Sequence, residues 1–164
     1  MISFSIDFKV PNVPLFNGGG PKIVHEEFSQ ALNAGVLQFQ GAILPLVPVN
    51  NGILRQGVQT SVTGQGTTLV GRVFDPVAYA IPVELGSRPH FPPVAPIQLW
   101  VRRKLGVPEK DVKSVAFLIA RAISRRGTKA VKFFERGFQA TKGQVEARFE
   151  RAAAKVVERL VGGA

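Results

Sequence analysis

Apolar and polar positions alternate at the start of the chain, where Ile2, Phe4, Ile6, Phe8 and Val10 are separated by Ser3, Ser5, Asp7 and Lys9. A period of two puts one set on each face of an extended backbone, so the spacing predicts a half-buried strand. Pro11 and Pro14 stop it, and Asn17-Gly-Gly-Gly-Pro21 reads as a flexible connection. No Gly-Lys-Ser/Thr follows those glycines, so they read as a plain loop and not as a phosphate cradle. From Lys22 to about Ile43 the period changes. Val24, Phe28, Ala31, Leu32, Gly35, Val36, Phe39 and Ile43 recur at three and four, which predicts an amphipathic helix ended by Pro45 and Pro48.

A meander of strands is expected next. Ile53 to Val62 leads into a turn at Thr63-Gly-Gln-Gly66, then Thr67 to Phe74, a turn at Asp75-Pro76, and a third strand over Ala78 to Leu85. Pro82 cannot donate a ladder hydrogen bond, which assigns that third strand to a sheet edge or a bend, where a neighbouring subunit could pair. After Pro96 the pattern is helical. A short helix over Ile97 to Leu105, a longer one over Glu109 to Arg126 burying Val112, Val115, Ala116, Ile119 and Ile123, and a last one over Gln144 to Leu160 are expected. Gly127 is a natural helix stop, and Gly162-Gly163-Ala164 should fray. The fold class implied is α+β: a small, mostly antiparallel sheet packed by an N-terminal amphipathic helix, with a helical, basic C-terminal portion. At 164 residues the chain fits one domain, with a strand-helix-sheet core over 1–99 and the basic helical portion over 100–164.

Charge sharpens that division. Residues 1–99 carry five basic and five acidic side chains, whereas residues 100–164 carry 16 Lys and Arg against six acids, so the net charge of +10 resides in the second part. Such a block suits nucleic acid or an acidic protein ring, although a solvated helical face is the plainer reading. There is no cysteine, which excludes disulfides, zinc-thiolate sites and a cysteine nucleophile. The start lacks a basic region followed by an apolar one, and no stretch approaches the ~18 apolar residues of a membrane span. A soluble chain, neither secreted by a cleaved signal nor anchored, is expected.

Catalytic chemistry finds little to build on. His25 and His90 are isolated, Ser61, Ser87 and Ser124 lack a nucleophile-elbow context, and the acids are dispersed. No enzyme, no metal site and no cofactor are expected. Glu84 is the most informative acid, because it lies in an otherwise apolar run. It reads either as an outward residue beside an edge or as an acid buried in an interface and paired with a basic group, Arg55 being a plausible partner; the adjacent tight turn and the resemblance described below favour the second. Phe133, Phe134 and Phe138 read as core packing. Trp100, beside Arg102, Arg103 and Lys104, reads as core or as an aromatic anchor with a basic rim.

Three blocks of the chain carry a resemblance. The first is Pro48-Val-Asn-Asn-Gly-Ile-Leu-Arg55, the second Tyr79-Ala-Ile-Pro-Val-Glu-Leu-Gly-Ser87, and the third Arg126-Gly-Thr-Lys-Ala-Val-Lys-Phe-Phe-Glu-Arg-Gly-Phe138. In this order and spacing they resemble the small neck or tail-completion proteins of long-tailed bacteriophages. In that family the first block usually reads Pro-x-Asp-Thr-Gly-x-Leu-Arg-x-Ser, so Gly52, Leu54 and Arg55 match, while Asn50 and Asn51 stand in place of Asp-Thr. The second usually reads Tyr-Ala-x-x-Val-Glu-x-Gly-Ser/Thr, matched by Tyr79, Ala80, Val83, Glu84, Gly86 and Ser87. The third usually carries Gly-Thr-Lys and a Phe-Phe pair, matched by Gly127, Thr128, Lys129, Phe133 and Phe134. The segment between Phe91 and Ser124 is longer here than in compact family members.

The resemblance implies a structural virion protein at the head–tail junction, assembled in the host cytoplasm. It implies a self-assembled ring, commonly sixfold, that completes the tail and joins it to the head. The partners implied are other copies of the chain, the tail terminator, the tail tube and the head-completion ring, with genomic DNA passing through. On that reading Arg55, Tyr79, Glu84, Gly86, Ser87, Trp100, Arg102, Arg103 and Lys104 contact neighbours, and Arg125, Arg126, Lys129 and Lys132 face DNA or the lumen. The alternative is a DNA-binding accessory protein using the basic C-terminal helices, and a weaker third is a small enzyme.

Overall fold

The computed structural model describes residues 2–9, 20–65 and 68–161 of the 164. The elements run β1 (Ile2–Lys9), α1 (Gly20–Ile43), α2 (Ile53–Gly57), β2 (Gln59–Gln65), β3 (Thr68–Asp75), α3 (Ala80–Leu85), α4 (Val94–Lys104), α5 (Glu109–Arg126) and α6 (Phe133–Val161). The α+β class is as expected. Three strands form one antiparallel sheet in the order β1-β3-β2, with Ile2 opposite Asp75 and Thr60 opposite Val73. The expected chain stop at Pro11 and Pro14, Gly66 of the turn, and the C-terminal Gly-Gly-Ala lie outside the described residues. So do Asn17 to Gly19 of the expected connection, whose last two residues, Gly20 and Pro21, open α1 instead.

The sheet has an inner face built from β3. Leu69, Gly71, Val73 and Asp75 are buried, while Thr68 and Arg72 are exposed. Gly71 allows α1 to lie close, since a Cβ there would come 2.7 Å from both Leu32 Cδ1 and Val36 Cγ1. Helix α1 presents Val24, Phe28, Leu32, Val36, Phe39 and Ile43 as one buried stripe, and packs on both the sheet and α6. The two long helices run antiparallel. Phe28 stacks on Phe149 at 6.0 Å near one end, and Phe39 meets Phe138 edge-on at 5.8 Å near the other. Phe133 and Phe134 are fully buried in the main core with Ile43, Leu54, Val73 and Ala80, so the core reading of this aromatic cluster holds.

Three expected elements differ. The segment from Ile53 opens as the helical turn α2, and β2 begins only at Gln59. Asn51 and Gly52 cause this: Asn51 Oδ1 accepts the Ile53 N–H at 3.3 Å, and Gly52 takes φ 84°, a left-handed conformation that turns the chain. Asn51 thus supplies the side-chain acceptor for this turn.

The expected third strand is the helix α3. Pro82 is its third residue, within the first turn, where a missing N–H costs no intrahelical bond. Ala80 and Glu84, four apart, form its buried side. Edge pairing through this segment is therefore not available, and the sheet edges are β1 and β2. Finally, the last helix begins at Phe133, eleven residues before the expected start at Gln144. Gly137, Thr141 and Gly143 dilute the apolar stripe there, yet Gly137 is buried against Ile43, 2.7 Å from where its Cβ would lie.

Helices α4 and α5 form a hairpin around their own cluster of Val101, Val112 and Ala116. They pack chiefly on one another. Arg102 holds the turn between them through a two-pronged ion pair with Glu109, its Nε 2.9 Å from Oε2. This pair raises the Arg102 pKa and lowers that of Glu109.

Candidate functional site

The second and third sequence blocks meet in space. Ser87 and Thr128 form an isolated antiparallel bridge: Ser87 N–H donates to the Thr128 carbonyl at 3.2 Å, and Thr128 N–H to the Ser87 carbonyl at 3.1 Å. Their hydroxyls reinforce it, Thr128 Oγ1 lying 3.0 Å from Ser87 Oγ and accepting the Ser87 N–H at 2.9 Å. The glycine before each residue takes a positive φ, 75° at Gly86 and 69° at Gly127. A Cβ on Gly86 would lie 2.5 Å from the Thr128 carbonyl oxygen, and one on Gly127 only 1.9 Å from that of Ser87. Gly-Ser and Gly-Thr are thus the two halves of one clasp, and the α4–α5 hairpin is the arm it closes.

Glu84 extends the clasp into the core. It is 3% exposed. Its Oε2 accepts the Phe134 N–H and its Oε1 the Glu135 N–H, each at 3.0 Å, while its carbonyl accepts the Lys132 N–H at 3.1 Å. A carboxylate at the start of α6 satisfies two N–H groups that have no partner within the helix, and it sits at the positive end of the helix dipole. Glu84 is buried, but inside the chain's own core and not in an interface, and the expected partner differs too: both oxygens are taken by backbone N–H groups of α6, and Arg55 stands exposed in the last turn of α2. The distinction was invisible because the start of α6 was itself missed.

Beside the clasp the first block joins in. Pro48, Asn50, Gly52, Tyr79, Val83 and Trp100 line a recess of about 200 Å3. Trp100 also borders a shallow apolar recess of about 310 Å3 with Pro96, Ile97, Ile119 and Ile123 on the arm. Tyr79 is 43% and Trp100 37% exposed, and Val49, Ile53 and Leu99 are about as open. Trp100 is therefore an aromatic rim between core and arm and no core residue. Val49 belongs to this surface and was missed, because it does not stand out from an apolar run in sequence.

The basic residues separate by role. Residues 88–126 carry nine Lys and Arg against two acids. Arg102 is spent on Glu109, while Arg103 and Lys104 are exposed at the end of α4. Arg125 and Arg126 are exposed in the last turn of α5, and Lys129 is exposed just beyond the clasp. Lys132 pairs with Glu135 at 3.0 Å and takes φ 56°, so it serves the entry to α6.

His90 lies in the arm's entry loop, its Nδ1 2.9 Å from the Arg88 carbonyl oxygen. Among the described residues no three His, Cys, Asp or Glu side chains gather as a metal site, and no helix is long and apolar enough to cross a membrane. The arrangement offers apolar recesses, a basic arm and backbone edges, which are groups for association. No protein-family model, curated protein or solved structure matches this chain.

Proposed function

We propose that this protein is a structural component of the phage head–tail junction, a self-assembling ring that completes the tail and joins it to the head. One observation carries the reading. The three blocks that resemble neck proteins lie apart in sequence yet adjoin in space through the second, which meets the third at the clasp and the first at the recess of Gly52 and Tyr79. A clasp of this kind explains why Gly-Ser, Gly-Thr and the buried acid belong together, since each side needs the other.

The mechanism is association and not catalysis. The exposed Tyr79 and Trp100 act as anchors with a basic rim at Arg103 and Lys104, and the outer edges of β1 and β2, which pair with no further strand among the described residues, offer backbone to a neighbouring copy. The arm, basic and bearing exposed Leu99, Phe117 and Leu118, faces an acidic ring above or below.

Electron microscopy of a lysate from the parent phage with an early stop codon in this gene tests the reading. Filled heads beside unattached tails are expected. Fully joined particles would overturn it.

A further inference from the structure

Where α1 and α6 run side by side, Ala31, Ala34 and Ala152 are small, and the surface above them opens into a groove of about 410 Å3. Arg148, Arg151 and Lys155 form its α6 wall, and Glu27 and Gln30 its α1 wall. Glu27 and its neighbour Glu26 share Arg159, Glu27 Oε1 accepting Nη1 at 2.8 Å and Glu26 Oε2 accepting Nη2 at 3.1 Å, so that cluster keeps one net negative charge against the groove's three cations, which remain in excess. Both guanidinium groups are anchored by their inner nitrogens. Arg148 Nε donates to Gln38 Oε1 at 2.8 Å, and Arg151 Nε to the Ala147 carbonyl at 3.1 Å. Among the described residues no acceptor takes the terminal NH2 groups of either arginine, which leaves them as donors for a ligand.

We propose that this groove binds the phosphodiester backbone of a nucleic-acid strand. The three cations are spaced i, i+3, i+7 and span about 10 Å along the helix axis. Each cation can neutralise one phosphate of a strand laid along the groove and release its counterion. No large apolar side chain lines the groove, so it lacks the anchors that a protein partner would use; the arm, by contrast, has them. The inference does not depend on the head–tail reading, and it moves the nucleic-acid contact from Arg125, Arg126 and Lys129 to the middle of α6.

The test is binding of the full chain to a short DNA duplex over a salt series. Joint replacement Arg148→Gln, Arg151→Gln and Lys155→Gln should flatten the log–log salt slope by about 3, at ~0.9 per phosphate, with the helical circular dichroism unchanged. If that variant loses its helical signal, the single replacements take its place, each expected to lower the slope by about 1. Arg148→Lys with Arg151→Lys keeps the charge and should keep the slope. Joint replacement Arg125→Gln, Arg126→Gln and Lys129→Gln should lower the slope less than the α6 set does. The proposal is overturned by an unchanged slope in the α6 variants, by no duplex binding at low salt, by polyglutamate binding as tightly as the duplex, or by binding of pyrophosphate in its place.

Discussion

Glu84 accepts the backbone N–H of Phe134 at 3.0 Å across 50 residues of sequence, and its second oxygen takes the next N–H, that of Glu135. One side chain from a helix of six residues thereby sets where a helix of 29 residues begins. Replacing it leaves two donors near the core without an acceptor. Glu84→Ala is expected to cost about 2–4 kcal/mol in urea unfolding, and Glu84→Gln less, since one acceptor oxygen remains. A loss below about 0.5 kcal/mol for Glu84→Ala would mean that α6 starts without this cap.

The clasp makes a second prediction through two glycines of positive φ, Gly127 also having ψ −160°, a region essentially confined to glycine. Gly106 and Gly127 have similar positive φ, 59° and 69°, but a Cβ on Gly106 meets nothing within 4 Å, whereas one on Gly127 meets the Ser87 carbonyl oxygen at 1.9 Å. Gly106→Ala should cost only the backbone strain, about 1–2 kcal/mol. Gly127→Ala should cost clearly more and should open residues 88–126 to limited proteolysis before the core unfolds. Equal losses for the two would show that the clasp adds nothing to the arm's attachment.

Trp100 is the only tryptophan of the chain, so its fluorescence reports on the surface it rims. On self-association its emission should shift to the blue as the half-open ring is covered. Trp100→Ala should lower the stability of the monomer by less than about 1 kcal/mol and abolish the assembled species in analytical ultracentrifugation. A variant that assembles like the parent would remove Trp100 from the interface.

Asp75 gives the protein an acid-side signature. Its carboxylate is fully buried at the end of β3. Oδ1 accepts the Val77 N–H at 2.9 Å, and Oδ2 has no hydrogen-bond partner among the described residues. Burial pushes its pKa up, against the lowering effect of the Val77 bond. The folded state therefore holds this proton more tightly than the unfolded chain, whose Asp ionises near about 3.9. Its contribution is fully present below that value, and stability is lost as pH rises through the higher folded pKa. Asp75→Asn, which cannot ionise, should flatten that decline in unfolding curves taken across the acid range. An identical pH profile in the variant would show that Asp75 is not its source.

The long-period features were legible without coordinates. The alternation from Ile2, the stripe from Val24 to Ile43 and the run from Glu109 to Arg126 each repeat over enough residues that local spacing defines the element. Short segments were not legible in the same way. Tyr79 to Leu85 carries strand-like residues and a proline, and six residues fit either period; burial of Ala80 and Glu84 on one side made it a helix. The start of α6 was hidden because Gly137 and Gly143 weaken its pattern, and its cap, Glu84, comes from another element.

By itself, then, the order of residues determined the α+β class, the long helices and the concentration of charge in the second part, because each of these rests on composition or on periodicity within one segment. Only the tertiary structure decided what Glu84 binds, that Gly86-Ser87 and Gly127-Thr128 close on each other, and that Arg148, Arg151 and Lys155 share a groove with α1. Those relations join residues tens of positions apart, and no local propensity carries the distance between two segments until the core has packed them.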